Sequence, residues 1–502
     1  MSHQPNRNRP VVVGVGQVTD RVEAADQGRE PLALAADALR AAAEDAGDGL
    51  GPQLLAELDS LDVVNVISWM YDDLPGLLAK AVGASPSRAE HSDWGGHRPT
   101  LLLDRAAARI ARGESRIAAV VGAEALRSVE LALRGGQLPP WTPPPAGAAP
   151  PDAKDHVHPL AWAHGLRMPT DVYPLFENAL RATTELTEEA NQAWSARLWA
   201  SMSGAAAQNP DAWDPTGRTA EEIMAVGPRN RMVCHPYPKL MNARIGVNQA
   251  AAALVIDAEL ADDLGIPEEH RVSPVAGAGA NDPDDFLERV AYDRSPAMEA
   301  TLEATLQRAG LAVAECELLE LYSCFPCVPK LAIRALGLPG DVDPSVTGGL
   351  TSFGGPGNDY MLHAIVAMVR AMRQRKGTTG LLYGNGGFLT KHHAMVLAAG
   401  TAAAPYAPDG ERLDAALQAD VDALPAPAFE EHPEGPATIE AWTAMYDGDG
   451  QPTVGVVVCR TGAGTRTVAH VTDDLDRLLD GQPVGAPGAV TASGEVNVFR
   501  FA

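Results

Sequence analysis

Short β-branched runs alternate with longer helical patterns along the first part of the chain. Val11-Val12-Val13-Gly14-Val15 predicts a strand over 10–16, and apolar positions recurring every three or four residues predict a helix over 31–46. A strand is expected at 61–69, then Gly95-Gly96, an apolar helix over 101–111, Gly113 and a strand at 117–122. The same order returns later: strand 272–276, helix 297–309, strand 317–322, Gly348-Gly349, helix 360–373 and strand 379–384. Alternation at this spacing implies crossover-linked sheets with helices between them. Its repetition points to two similar sheets packed around a shared helix layer.

Two stretches depart from the alternation. From about 124 to 244 a proline-rich segment, Pro139-Pro140-Trp141-Thr142-Pro143-Pro144-Pro145, precedes helical patterns over 177–205. Proline-rich runs disfavour regular pairing and sit in connections. After a linker-like segment at 402–408, short alternating strands at 437–443, 453–460 and 465–471 are separated by Gly-Asp-Gly and Gly-Ala-Gly turns, a hairpin signature. This last stretch, 403–502, holds 16 acidic and 5 basic residues, a net −11, and is expected to form a separate small OB-like β domain.

Composition narrows the function. At 502 residues the chain is too long for one ordinary core, so two or three domains are expected. Five scattered cysteines argue against a disulfide framework and for a reducing cytoplasm. The apolar runs stop far short of a bilayer span, and the polar start has no signal-peptide stretch, so no membrane insertion is expected. A net charge of −26 repels phosphate backbones and excludes nucleic acid as a partner. Gly14-Val15-Gly16-Gln17-Val18-Thr19 lacks the third glycine of a dinucleotide fingerprint, and no glycine-rich turn carries a P-loop signature. Cys324 and Cys327 have C-x2-C spacing, but no second pair accompanies them and no metal is expected.

One turn is distinctive. Gly348-Gly349-Leu350-Thr351-Ser352-Phe353-Gly354-Gly355-Pro356-Gly357-Asn358 resembles the GG-x5-HP-x-G turn of thiolases, with Gly355 in place of the histidine and Asn358 in place of the final glycine. The segments Leu321-Tyr322-Ser323-Cys324-Phe325-Pro326, Gly384-Asn385-Gly386-Gly387-Phe388-Leu389-Thr390-Lys391-His392 and Pro238-Lys239-Leu240-Met241-Asn242-Ala243-Arg244 resemble those of a distinct group. These are the actinobacterial thiolase-like proteins with an additional C-terminal domain, often labelled acetyl-CoA acetyltransferases. In one place the chain departs from the group: His97-Arg98 stands where an asparagine and a small residue are usual.

The resemblance implies an α/β protein with a duplicated, five-layered αβαβα thiolase fold and the additional β domain. Residues 1–124 with 245–258 would form the first half, 125–244 a loop domain covering CoA, 259–402 the second half and 403–502 the OB-like domain. It also implies that the three reactive groups of thiolases are gone. The nucleophilic cysteine's place falls at or next to Gly96, the histidine's at Gly355 and the second cysteine's near Tyr383. Ordinary thiolysis or Claisen condensation is therefore not expected.

The replacements supply the candidate site. His97, at a helix start, suits a base held neutral by the helix dipole or a hydrogen-bond donor. Tyr322 and Tyr383 end corresponding strands, where hydroxyls can donate to a developing enolate. His392 follows the glycine-rich turn. These four are the expected catalytic residues. Gly96, Gly354, Gly355, Gly357, Asn358, Asn385 and Cys324 are the expected substrate-binding positions, with the 355–357 turn offering backbone N–H groups to a thioester oxygen. No cofactor is expected beyond a CoA thioester as substrate or ligand. Three functions stay open: an acyl-CoA-handling acyltransferase-type protein, a retro-aldolase-like lyase on 3-hydroxyacyl-CoA esters, and a CoA-ester-binding scaffold. The protein is expected as a homodimer through the core or as a monomer.

Overall fold

A computed structural model of the chain describes residues 7–148, 154, 157–402 and 404–502. The polar start at 1–6 and the boundary residue Ala403 lie outside them. Among the described residues, eleven strands precede the C-terminal stretch: β1 (Pro10–Thr19), β2 (Ser60–Val63), β3 (Arg88–His91), β4 (Ile117–Ala125), β5 (Met232–Cys234), β6 (Tyr237–Pro238), β7 (Asn248–Asp257), β8 (Val272–Asn281), β9 (Leu318–Glu320), β10 (Thr379–Gly386) and β11 (Lys391–Ala399).

Nine of them run in the order β3-β2-β4-β7-β1-β8-β11-β10-β9. Outward from the β1–β8 seam, where Val12 pairs with Val272, one side reads β1, β7, β4, β2 and the other β8, β11, β10, β9. Each side has the same pattern, an antiparallel inner ladder followed by a parallel outer pair. The duplication inferred from the alternation is thus present strand by strand, with β3 as the extra edge of the first half.

The inner strands β4 and β7 are buried on both faces, which is why they read as apolar runs rather than as alternation. The glycines of β1 are explained by packing. A Cβ on Gly14 would lie 2.0 Å from the Ala42 carbonyl oxygen, and one on Gly16 would lie 2.3 Å from that of Ala38. The alanine-rich helix Pro31–Asp45 therefore rests its backbone on the strand. The strand expected over 61–69 ends at Val63 because the amides of Ile67 and Ser68 turn to the Glu124 carboxylate instead of a ladder.

Between the two halves of this sheet lie two buried helices, Arg98–Ala111 and Tyr360–Arg373. The second is apolar almost all round, as a helix enclosed on every side must be. The insert after β4 carries the helices Pro169–Thr184 and Glu188–Gln208. Glu177 of the first is fully buried and held by Lys330, by the Asn191 amide at 2.7 Å and by the Tyr237 hydroxyl at 2.6 Å. Breaking such a pair strands a buried charge, so the insert is fixed to the helix Cys327–Leu336.

Past the core, the stretch expected to be β-rich opens with a helix, Gly410–Asp422. Leu417 and Val421 face Ala280, Ala297 and Ala300 of the second half, and Asp414 pairs with Arg308 at 2.7 Å. The strands β12 (Gly435–Tyr446), β13 (Pro452–Thr461), β14 (Arg466–Val471), β15 (Pro487–Ser493) and β16 (Val496–Phe501) then close into a small barrel in the order β12-β13-β14-β16-β15-β12. Trp442, Val457, Ala469, Leu478 and Phe499 fill it. The insert's β5 and β6 extend this sheet through the Cys234–Met445 pairing. No helix among the described residues is long and apolar enough to cross a membrane.

Candidate functional site

The two central helices begin close together, each after a turn that opens with a glycine at positive φ. Gly95-Gly96-His97 leads into one and Gly357-Asn358-Asp359 into the other. The turns are tied directly, because the Gly95 amide donates to Asn358 Oδ1 at 2.8 Å and Asn358 Nδ2 donates to the Asn65 carbonyl at 3.0 Å. His97 is 4 % exposed and packs on Gly384 and Gly386 of β10. Burial, with the nearby charges of Arg98, His393 and His392, holds its pKa well below the ordinary imidazole value. It is therefore neutral, and among the described residues its Nδ1 has no hydrogen-bond partner.

Tyr322 completes that corner. Its hydroxyl occupies the space above Gly96: a Cβ there would lie 2.1 Å from the Tyr322 oxygen and 2.6 Å from the Asn385 carbonyl. Tyr322 holds φ at +53°, a left-handed conformation that is uncommon for a bulky residue and found where the surroundings over-determine it. Beside it, Asn385 Nδ2 donates to the Tyr173 hydroxyl at 2.9 Å and reaches Cys324 Sγ at 3.7 Å, while Asn385 Oδ1 is buried without a hydrogen-bond partner among the described residues. Burial pushes the Tyr322 hydroxyl well above the ordinary phenol range and the Cys324 thiol up to about 12. Both are protonated at neutral pH.

Tyr383 and His392 meet across the β10–β11 hairpin. The Tyr383 hydroxyl lies 2.7 Å from His392 Nδ1, and the rings stack. The other ring nitrogen, Nε2, is 3.2 Å from Ser295 Oγ and 3.5 Å from Asp282 Oδ2. Burial lowers the His392 pKa, and the hydrogen bond to Asp282 pulls against that. Burial raises Asp282, but the contact with His392 and the Arg289 charge outweigh it and leave the carboxyl below its ordinary value.

Of the expected residues, His97, Tyr322, Tyr383, His392, Gly96, Asn385 and Cys324 gather at the first helix start and the end of β10. The 354–358 turn serves the other side. Gly354 abuts Gln249, Gly357 abuts Glu124, and Asn358 bridges the two turns. The N–H groups expected to face a thioester oxygen are already committed. That of Gly355 donates to the Arg244 carbonyl and that of Gly357 to Gly355, each at 2.8 Å, and Pro356 has none. The turn is a brace between the insert and the core.

Sequence reasoning missed Tyr173, whose hydroxyl donates to the Gly387 carbonyl at 3.0 Å and accepts from Leu389 N–H at 3.1 Å. It also missed Asp282, Ser295 and Glu124. Ser295-Pro296 carried a signal, being a helix N-cap followed by proline at the first position. Tyr173 carried none, since its partners lie more than two hundred residues away.

Among the described residues, one grouping has metal-ligand types in reach of each other: Asp104, His393 and Asp414. One ligand atom of each is already engaged, while His393 Nδ1 has no hydrogen-bond partner among the described residues. Asp104 takes His393 at 3.1 Å and the Tyr406 hydroxyl, and Asp414 takes Arg308. The cluster fastens the C-terminal extension to the core.

Comparison with known proteins agrees with this architecture. The family model of the additional C-terminal domain of thiolase-like protein type 1 matches residues 416–495. The crystal structure of a monomeric SCP2-thiolase-like protein type 1 from Mycobacterium smegmatis is 32% identical and covers 99% of both chains, with a TM-score of 0.83. A 3-ketoacyl-CoA thiolase of Shewanella loihica is 30% identical over 134 residues, 26% of this chain, and the chain spans only 32% of that relative's length. The Ltp2-ChsH2(DUF35) aldolase shares the fold at 19% identity, with a TM-score of 0.59 over 78% of this chain and 98% of that one. The expected thiolase core with a small C-terminal β domain is thereby established.

Proposed function

The chain belongs to the SCP2-thiolase-like proteins of type 1, and from that premise we propose that it binds acyl-CoA thioesters at the first helix start and processes them without cysteine–histidine–cysteine chemistry. The observation that carries this reading is the Tyr322 hydroxyl seated over Gly96, where the resemblance puts the nucleophilic cysteine. All five cysteines are buried, and burial raises each thiol pKa, so thiolate attack is disfavoured. Hydroxyl and imidazole groups fill the corner instead, which suits proton transfer and hydrogen bonding to a thioester oxygen.

The Tyr383–His392 contact favours one reaction class within this reading, retro-aldol cleavage of a 3-hydroxyacyl thioester. A base removes the 3-hydroxyl proton, the C2–C3 bond breaks, and its electron pair passes into the thioester enolate, which is then protonated. The products are a shorter acyl-CoA and a carbonyl compound. The five-strand closure of the barrel, with the short helix Leu475–Leu479 between its third and fourth strands, supports the OB-like reading of the C-terminal domain. The charge of that domain supports a covering role rather than one in nucleic-acid binding.

A panel of CoA esters tests the proposal. We expect a retained ester by native mass spectrometry and, with 3-hydroxyacyl-CoA, a shorter acyl-CoA plus an aldehyde or ketone. Acetoacetyl-CoA with free CoA should stay at background. Turnover of that pair at roughly 1–1000 per second, or no mass shift with any ester, would overturn the reading. Binding without product would leave the scaffold alternative.

A further inference from the structure

Four buried groups line up behind the Tyr383 hydroxyl. The Ser295 hydroxyl donates to Asp282 Oδ2, and its oxygen accepts from the Met298 amide at 3.1 Å. Its remaining lone pair faces His392 Nε2 at 3.2 Å. Because the serine hydrogen is committed to Asp282 and the carboxylate can only accept, the proton of the neutral imidazole belongs on Nε2. His392 Nδ1 is then the acceptor, and Tyr383 donates to it at 2.7 Å. Arg289, fully buried at 3.4 Å from Asp282, keeps the carboxyl ionised without touching the ring.

The far end of this chain reaches a groove of about 890 Å³ between the helices Pro296–Ala309 and Cys327–Leu336. Ser295 lies in its wall with Met298, Leu306, Leu331, Glu299 and Arg334. A structural tie between Asp282 and Arg289 needs neither an imidazole nor a tyrosine. Placing both between the carboxyl and the site, with every donor and acceptor satisfied in one direction, is what proton transfer requires.

We propose that Ser295, Asp282, His392 and Tyr383 form a proton relay from this groove to the site, with Asp282 and Ser295 as positioning residues. The Tyr383 O–H bond breaks as an N–H bond forms at His392 Nδ1. The Nε2 proton passes to Ser295 Oγ as the serine O–H, until then held by Asp282 Oδ2, turns to the groove and gives its own proton to water there. The reverse sequence restores the hydroxyl. Tyr383 thereby recharges without opening the substrate side. The charged and titratable groups facing the relay are Asp282 and Arg289 from the segment after β8, His97 from the first helix start, and Tyr322 and Cys324 beside Tyr383.

The proposal rests on Tyr383 being a site hydroxyl, yet its test needs no substrate. In the full chain with ¹⁵N-labelled histidine, the His392 signals are those absent from His392→Gln. Wild type should show protonated Nε2 and acceptor Nδ1. Asp282→Asn, whose amide can donate to Nε2, should move the proton to Nδ1, and unchanged signals would overturn the relay. Ser295→Ala should slow solvent exchange of the Nε2 proton by about tenfold, the equivalent of one lost hydrogen bond, with Ser295→Thr restoring it. Equal or faster exchange in Ser295→Ala would remove the groove from the path. Should Asp282→Asn not fold, Tyr383→Phe carries the test: its Nδ1 signal must shift to that of an unbonded acceptor. Silence in the CoA-ester panel would refute the proposed function and leave these results standing.

Discussion

The two helix starts at the centre of the molecule are copies of one device with opposite chemistry. Each follows a glycine turn, each packs on a glycine of a strand from the other half of the sheet order or its neighbour, and neither residue before the helix bonds its own helix amides. His97 stands at one. At the other stands Asp359, fully buried, with neither carboxyl oxygen hydrogen-bonded among the described residues and Oδ2 3.4 Å from His363 Nε2. A helix N-terminus favours an anion and disfavours a cation. For His97 the dipole and burial act together and keep the ring neutral. For Asp359 burial, reinforced by the Glu124 charge, opposes the dipole and wins, pushing the carboxyl well above its ordinary pKa. Burial therefore disfavours charge at both starts. The first gathers Tyr322, Tyr383 and His392 around it, whereas Asp359 meets a single imidazole, His363, and that asymmetry is why the site is assigned there.

Kinetics should give the largest contrast. On an identified CoA ester, Tyr322→Phe and His392→Ala should each lower product formation by about 10²–10⁴-fold, the range for a positioned acid or base, with little change in ligand affinity. Asp359→Asn, which keeps the shape of the side chain at the start without the site's hydroxyls, should change it little. An Asp359→Asn loss as large as that of Tyr322→Phe would erase the distinction between the two starts.

Stability against pH should sharpen it from the other side. Burial raises Glu124 from 4.5 to about 7, against the hydrogen bonds from Ile67 and Ser68. The folded state then holds a proton that the unfolded chain releases. The stabilisation is complete below about pH 4.5 and is lost as pH rises through 7. At 1.36 kcal/mol per unit the loss is on the order of 3 kcal/mol. Denaturation midpoints should fall from pH 5 to 7 in wild type, and Glu124→Gln should flatten that slope. A slope identical in the variant would show that Glu124 does not carry it.

How much of this was legible follows from which interactions are local. The repeated order of strands and helices is a property of hydrophobic runs, and it matched the two sides of the sheet closely. Tyr383 and His392 were both singled out, being nine residues apart on one hairpin. Asp282 was not, because Asn281-Asp282-Pro283-Asp284-Asp285 reads as a solvated acidic loop, and only the fold brings its second residue under β11. The amphipathic helix Gly410–Asp422 was passed over within a stretch dominated by hairpin turns. The role of the 354–358 turn was misread for a related reason: glycines signal close backbone approach but do not say which backbone.

Two glycines at the reactive positions of the resemblance should differ next. A Cβ on Gly96 meets the Tyr322 hydroxyl and a backbone carbonyl well inside contact distance, whereas one on Gly355 meets nothing closer than 3.4 Å. Gly96→Ala should cost about 1–3 kcal/mol, as overpacking does, and Gly355→Ala far less. Equal shifts in thermal midpoint would mean that Tyr322 does not occupy the space over Gly96.

The smallest effect is expected at the residue whose chemistry looks most inviting. Cys324 sits beside Tyr322 and Asn385, within the assigned corner, and a thiol there invites a nucleophilic role. Burial pushes its pKa up to about 12, and among the described residues no basic side chain bonds the sulfur; its neighbours are the Asn385 amide and the Tyr173 hydroxyl. The thiolate is the nucleophile, and at neutral pH a thiol so shifted supplies it only to about one part in 10⁵. Cys324→Ser should therefore keep product formation within about threefold, a loss of packing rather than of chemistry. Alkylation by iodoacetamide at pH 8 should be slow in the folded protein and fast after denaturation. Rapid stoichiometric labelling of native Cys324 that abolishes turnover would reverse the assignment, placing the nucleophile one strand end from Gly96 and returning the protein to thiol chemistry by another route.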